Sequence, residues 1–293
     1  MQSRTLGDTG LRVSIVGLGT VQIGRPQLDD ARAARVLNAS LDAGITLIDT
    51  AVGYDLAEER IGKHLSHRRD EFVLSSKCGY GVAGVADWTA DCITRGVEQS
   101  LQCLRTDRID IMHLHSCPLD VLLRGDVIAA LGRARQSGKI RVAAYSGEND
   151  ALDHAIACGA FQSVQCSVNI CDQAAIERAL PQARQRGVGV LAKRPLANAF
   201  WRFETQPTGD YCEEYWRRAR AMKLTCGSLS WTELAARFAA YQPGVDAIIV
   251  GSSNAAHVEE VIEFVNRGPL PADVDASLGA AFAPHRSEWS GQI

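Results

Sequence analysis

Residues 109–146 read IDIMHLHSCPLDVLLRGDVIAALGRARQSGKIRVAAYS. The stretch opens on an aliphatic run, Ile109–His115, short enough for a buried strand. An amphipathic segment follows, approximately Leu123–Ser137, and Gly138 stands where that helix would stop. A glycine just past a helix takes the left-handed conformation cheaply. A second apolar run, Ile140–Ser146, comes directly after. Strand, helix, strand in so short a space is the unit of a parallel sheet with helices outside it.

The same alternation runs outward in both directions. Apolar runs recur at Val13–Gly19, Thr46–Ala51 and Phe72–Lys77 before the stretch, and at Ser163–Asn169, Gly189–Arg194 and Ala247–Gly251 after it. Helical segments separate them, near Asp30–Ala43, Ala57–Leu65, Trp88–Leu104, Asp150–Ala157, Gln173–Arg186, Leu229–Tyr241 and Ala255–Asn266. Gly44, Gly159 and Gly187 close helices as Gly138 does, and Asp30, Asp150 and Asp172 are plausible N-caps. Eight strand-then-helix units in a row predict a closed α/β structure, a (β/α)8 barrel, with an open doubly wound sheet as the alternative. No linker, low-complexity tract or shift of composition divides residues 1–293, so one domain is expected. Arg4–Leu6 and Leu11–Val13 flank Asp8-Thr9-Gly10, which predicts a small hairpin under the barrel. One connection is abnormal. Between Arg194 and the helix near Leu229 lie Phe200, Trp201, Phe203, Tyr211, Tyr215 and Trp216. That loop is read as a lid or binding loop, or as aromatics cementing an extra helix, Tyr211–Met222, onto the barrel.

A net charge of -3 with scattered Lys and Arg gives no sign of a nucleic-acid surface. The segment Met1–Thr9 lacks the apolar core of a signal peptide. No stretch approaches the roughly 18 apolar residues of a membrane helix. The nine cysteines include no C-x-x-C pair, so they read as reduced thiols of a cytoplasmic protein rather than disulfides or a zinc site.

In a closed barrel the chemistry gathers at the C-terminal strand ends. There the sequence places Asp49, Lys77 and His115 on consecutive strands, with Tyr54 just beyond Asp49. Lys77 would be held by an ion pair to Asp49, and its charge would favour the phenolate of Tyr54. Tyr54 could then donate a proton to a carbonyl oxygen that His115 orients. The hydride must come from a cofactor, because no side chain can supply one. Taken singly, the four have ordinary structural readings: a barrel ion pair, a loop tyrosine, a core histidine. Their convergence favours function.

These residues also carry a resemblance. The chain resembles an aldo-keto reductase from about Thr5 to Glu260. The match lies in Gly17-Leu-Gly-Thr20, Ala43-Gly44, Ile48-Asp-Thr-Ala51, Tyr54, Glu59-Arg60-Ile-Gly62, Ser75-Ser76-Lys77, Asp110-Ile-Met-His-Leu-His115, Gly138-Lys-Ile-Arg141 and Ser146. The resemblance implies a TIM barrel with long loops at its C-terminal face, using NADPH or, less often, NADH, without metal. It implies a catalytic tetrad of Asp49, Tyr54, Lys77 and His115, with His115 preferred to His113 because it ends its strand. The implied substrate is a small carbonyl compound, with no nucleic-acid or membrane partner. Implied cofactor contacts are Gly19, Thr20, Asp49, Ser146, Gln165, Lys193, Arg194, Pro195 and Leu196, then Gly251, Ser252, Ser253, Asn254, His257 and Glu260. The last group would open a helix, whose free N–H groups suit a phosphate.

The chain also departs from the family pattern. Gly147 follows Ser146 where an Asn is usual. Lys193 or Arg194 stands where an aromatic usually stacks on the nicotinamide. Gly251 and His257 replace common phosphate ligands, and Val261 replaces an adenine-binding Asn. NADP stays the first choice on family frequency. Other readings are a barrel that holds NADP as a redox sensor with little turnover, a metal-dependent hydrolase using His113 and His115, and a Schiff-base aldolase using Lys77 or Lys193. A dinucleotide loop at Gly17-Leu-Gly19 lacks its third glycine, since Gln22 occupies that place. The Tyr80–Trp88 loop and the tail Ala272–Ile293 are expected near the barrel mouth.

Overall fold

The computed structural model describes residues 1–293. Two short antiparallel strands, β1 (Ser3–Thr5) and β2 (Arg12–Ser14), form the expected hairpin. Eight strands follow: β3 (Val16–Gly19), β4 (Leu47–Asp49), β5 (Val73–Cys78), β6 (Ile109–His115), β7 (Ile140–Ser146), β8 (Ser163–Ser167), β9 (Gly189–Lys193) and β10 (Ala247–Gly251). Each pairs in parallel with its neighbours, and β10 pairs with both β9 and β3. That last pairing closes the cylinder and removes the open-sheet alternative.

Strand alternation divides the side chains between two cores. Outward-facing residues such as Ile48, Leu74, Met112 and Val164 pack against the helices in one large apolar cluster. Inward-facing Leu47, Ile111, Val142 and Leu191 meet Leu6, Leu11 and Val13 of the hairpin in a second cluster, the barrel floor. The hairpin is pinned there by two of its backbone N–H groups, Gly7 N donating to the Asp246 carboxylate at 3.1 Å and Asp8 N to Gly187 O at 2.8 Å. Above the apolar layer the inward positions become polar, and Asp49, Lys77, His113, Ser146 and Gln165 form a crown at the strand ends.

The expected N-caps are displaced. Asp29, not Asp30, caps the helix Asp30–Asp42, accepting from Arg32 N at 3.0 Å. Asp30 instead pairs with Lys63 at 2.8 Å. The helix Asn149–Ala157 begins before Asp150, with Glu148 in the cap position. Asp172 precedes the helix Ala174–Gln185 without capping it, and accepts from Gln292 N at 3.0 Å. In the last case a backbone N–H of the C-terminal tail claims the carboxylate that local sequence would have assigned to the helix end.

The long connection after β9 contains a helix, Glu213–Ala221, inside the expected range. Phe200 and Tyr215 are buried with Ile170, Cys171 and Phe238, and Trp201 stacks on Trp231 at 6.0 Å. These aromatics cement the segment to the barrel. Tyr211 is the exception: it is 69% exposed and its ring faces Arg194.

Close helix contact is set by glycine at one point. A Cβ at Gly62 would stand 2.1 Å from Cys103 O and 2.8 Å from Leu104 C, both backbone atoms. At Gly96, by contrast, the nearest atoms are side chains at 3.5 Å and beyond. Gly62→Ala is expected to lose about 1–3 kcal/mol through overpacking. Gly96→Ala should gain roughly 0.5–1 kcal/mol from helix propensity. Urea denaturation of both variants checks the pair, and equal effects at the two positions would refute the close approach.

Candidate active site

Asp49 ends β4, Lys77 is the penultimate residue of β5 and His115 ends β6, so the barrel delivers all three to one rim. Lys77 Nζ lies 2.6 Å from Asp49 Oδ2 and 2.8 Å from Thr50 O. Both charged side chains are almost fully buried, at 1% and 5% exposure. Burial works against the ammonium. Asp49 and then Tyr54 more than offset this, and the Lys77 pKa lies above its ordinary value.

Tyr54 sits in the loop after β4, its ring centroid 4.7 Å from Lys77 Nζ and 5.8 Å from the His115 ring. Its backbone is fixed from outside. Leu56 N donates to Gly24 O at 3.0 Å, and a Cβ at Gly24 would stand 1.9 Å from Tyr54 O. Arg60 holds the segment that carries Gly24, donating to the carbonyls of Ile23 (2.5 Å), Arg25 (3.0 Å) and Leu28 (2.6 Å). The Glu59-Arg60-Ile-Gly62 motif therefore acts at a distance: it buckles the loop on which the tyrosine rests.

The two histidines of β6 both face inward but differ in depth. His113 lies a layer lower and is fully buried, with Nε2 3.1 Å from Ser75 Oγ. Burial pushes its pKa down to about 4. His115 is at the rim and pairs through Nδ1 with the Tyr80 hydroxyl at 2.7 Å. Burial first, then the charges of Lys77 and Lys193, push the His115 pKa down to about 2. No group of three or more His, Cys, Asp or Glu side chains is arranged to hold a metal.

A hydrogen-bonded chain crosses the crown. Ser75 Oγ donates to Asp49 Oδ1 at 2.8 Å, and Gln165 Nε2 donates to the same oxygen at 2.9 Å. Ser146 Oγ donates to Gln165 Oε1 at 3.1 Å. Ser146 and Gln165 are thus placed together and tied to Asp49. Thr20, after β3, closes the ring by donating to Asp49 O at 3.0 Å.

Gly251 is paired in register with Gly19 on the neighbouring strand. Beside it, Gln22 Oε1 is buried without a hydrogen-bond partner. The next residues lead into the helix Ala255–Asn266, where Asn254 accepts from Ala256 N at 3.2 Å and Ser252 Oγ accepts from Asn254 N at 3.0 Å. Arg32 donates to Ser253 O at 2.9 Å. His257 and Glu260 are exposed on the helix, while Val261 faces the core.

Four of the expected contact residues are engaged elsewhere. Lys193 forms an ion pair with Glu148 at 3.2 Å, and Glu148 also accepts from Ser167 N at 2.8 Å. Arg194 has a left-handed backbone (φ 55) and bonds the Tyr211 hydroxyl and Gln292 O. Pro195 is buried and Leu196 packs among core side chains. The tail lies over this side of the crown: Arg218 donates to Ser290 O at 2.8 Å, and Gly291 N donates to Asn149 at 2.8 Å. Ser75, Glu148 and the partners that Tyr80 and Asp172 take at this rim were not read from the sequence, where Asp172 stood as a helix cap and Tyr80 only as part of a loop near the mouth. Ser75 had a signal, since it faces inward two residues before Lys77; the others sit in loops or at strand exits, where direction is not periodic.

A closed parallel barrel with a buried Asp–Lys pair and a phenol at its rim defines a class of enzyme, and the comparisons agree on which. Residues 15–281 match the model of the "Aldo/keto reductase family". The chain belongs to that family and is an NAD(P)-dependent oxidoreductase. It is 28% identical to L-galactose dehydrogenase of Arabidopsis thaliana, covering 90% of this chain and 88% of that one. It is 27% identical to an NADH-specific methylglyoxal reductase of Escherichia coli, covering 81% and 82%. Among solved structures, the holo form of aldo-keto reductase AKR11C1 from Bacillus halodurans superposes with a TM-score of 0.84 at 26% identity, covering 96% of each chain. No helix is long and apolar enough to cross a membrane.

Proposed function

We propose that the protein reduces an aldehyde or ketone to an alcohol, with Tyr54 as proton donor, and that NADPH is its preferred reductant, NADH the alternative. The observation that carries the reading is the meeting of Tyr54, Lys77, Asp49 and His115 within one rim. The crown and the neighbouring rim fit the cofactor: Ser146 and Gln165 offer polar groups for a carboxamide, and the orphaned Gln22 oxygen lies beside Gly251, at the start of the segment that leads to Asn254. When bound, NAD(P)H supplies the hydride. Residues Gly251–Asn254 would hold its phosphates, with Gly19 and Thr20 beside them.

In this reading the chain's own groups do the rest. Lys77, held as a cation by Asp49, favours the charge that develops on Tyr54 as its proton leaves. His115, uncharged, donates a hydrogen bond to the same substrate oxygen. The Tyr80–Trp88 loop walls the approach, and the whole works as one domain in the cytoplasm.

The test is a fluorescence titration with NADPH and NADH, followed by a carbonyl panel read at the cofactor absorbance. Methylglyoxal and an aldose belong in it, given the names of the relatives. Micromolar binding of neither nucleotide would overturn the reading. The same assay carries a pH prediction. Because burial and the charges of Lys77 and Lys193 push the His115 pKa well below the ordinary histidine value, kcat should show no break in the usual histidine range. A break near pH 6.5 that vanishes in His115→Asn would contradict the neutral imidazole.

A further inference from the structure

We propose that Tyr80 is a positioning residue that holds His115 in its Nε2–H tautomer, so that an uncharged imidazole presents an N–H to the reacting oxygen. What that N–H acts on rests on the carbonyl-reduction reading; the tautomer itself stands on geometry.

The argument is a count of protons. A neutral imidazole carries one ring hydrogen and one bare nitrogen. Nδ1 lies 2.7 Å from the Tyr80 hydroxyl, which has no other hydrogen-bond partner in the protein. If Tyr80 donates, Nδ1 is bare and the hydrogen sits on Nε2, on the far edge of the ring. If Nδ1 donates instead, the phenol proton has no acceptor in the protein. Burial raises the Tyr80 pKa, with Tyr54 adding to the shift, so the phenol keeps the proton it has to give. Tyr54, Lys77 and Asp87 are the charged or titratable groups that act on it.

The loop after β5 is shaped around this one side chain. The Tyr80 and His115 rings stack at 5.3 Å with 25° between their planes. Trp88 closes the other side edge-on at 5.9 Å. Trp88 itself holds a left-handed backbone (φ 58), and its ring lies over Gly79, where a Cβ would stand 2.1 Å from it. Gly53 leaves room on a further side, since a Cβ there would come within 3.3 Å of the phenol oxygen. Two glycines and a strained tryptophan confine a residue that takes no part in the barrel core. What they confine it against is His115.

The test is 15N NMR of histidine-labelled protein near neutral pH, with His115→Asn used to assign the ring. Wild type is expected to show His115 as the Nε2–H tautomer. Tyr80→Phe keeps the ring packing and removes only the hydroxyl. It should mix the two tautomers and lower kcat by about tenfold, with nucleotide affinity unchanged. An Nδ1–H tautomer in wild type would overturn the proposal, and so would an unaltered Nε2–H signal in Tyr80→Phe. The expected tautomers in a protein that reduces no carbonyl would support the role of Tyr80 and count against the functional reading alone.

Discussion

Tyr54→Phe is expected to lower kcat for carbonyl reduction by roughly a thousandfold while leaving nucleotide affinity within about twofold, because positioned acid catalysis is commonly worth 10²–10⁴. The phenol hydroxyl is the only part removed. The ring that packs 4.7 Å from the Lys77 ammonium and edge-on to His115 remains, so the loop anchored by Gly24 and Arg60 has no reason to move. Stopped-flow hydride transfer with a simple aldehyde, beside a nucleotide titration, separates the two effects. Undiminished turnover in the variant would remove Tyr54 from the mechanism. If wild type binds nucleotide and turns nothing over, the barrel is a cofactor-bound sensor instead.

The second large effect is on stability as well as rate. Asp49→Asn leaves the Lys77 ammonium buried beside neutral oxygens, and breaking one side of a buried ion pair costs about 3–5 kcal/mol. The loss should be visible in urea denaturation, with activity abolished in the fraction that folds. Asp49→Asn/Lys77→Met removes both charges and should recover most of the stability and none of the activity. The pH dependence has a definite sign. The folded-state pKa of Lys77 is raised, so the contribution of its charge is complete below the ordinary lysine range and is lost only as pH rises through the raised value. In Asp49→Asn burial acts on the ammonium without its main counter-charge, so the gap between wild type and variant should be largest at low pH and narrow as pH rises toward the ordinary lysine range. An Asp49→Asn variant as stable as wild type would mean that the pair is not buried as described.

The barrel was legible because its strands are buried on both sides, which turns each into a short continuous apolar run such as Ile109–His115. The hairpin was legible from turn chemistry. The placement of Asp49, Lys77 and His115 at one rim followed from the same source, since a residue that ends an inward-facing strand row has only one place to point. Loops have no such rule. Tyr80 is 35 residues from the histidine it bonds, and nothing local marks the pairing. Lys193 is periodic enough to be placed inward, yet its partner Glu148 lies past the end of another strand, so its ion pair could not be read. The N-caps failed for a related reason. Asp29 and Asp30 are adjacent and chemically identical, and Asp172 is bound to a tail segment far along the chain.

The routes of the two ends of this chain matter to anyone handling it. Ser3–Thr5 runs beneath the cylinder, while residues 290–292 lie against Asn149, Asp172 and Arg218 at the C-terminal mouth of the barrel. An affinity tag fused after Ile293 would emerge next to the entrance and crowd it. A tag ahead of Met1 would trail from the opposite pole and leave the entrance free.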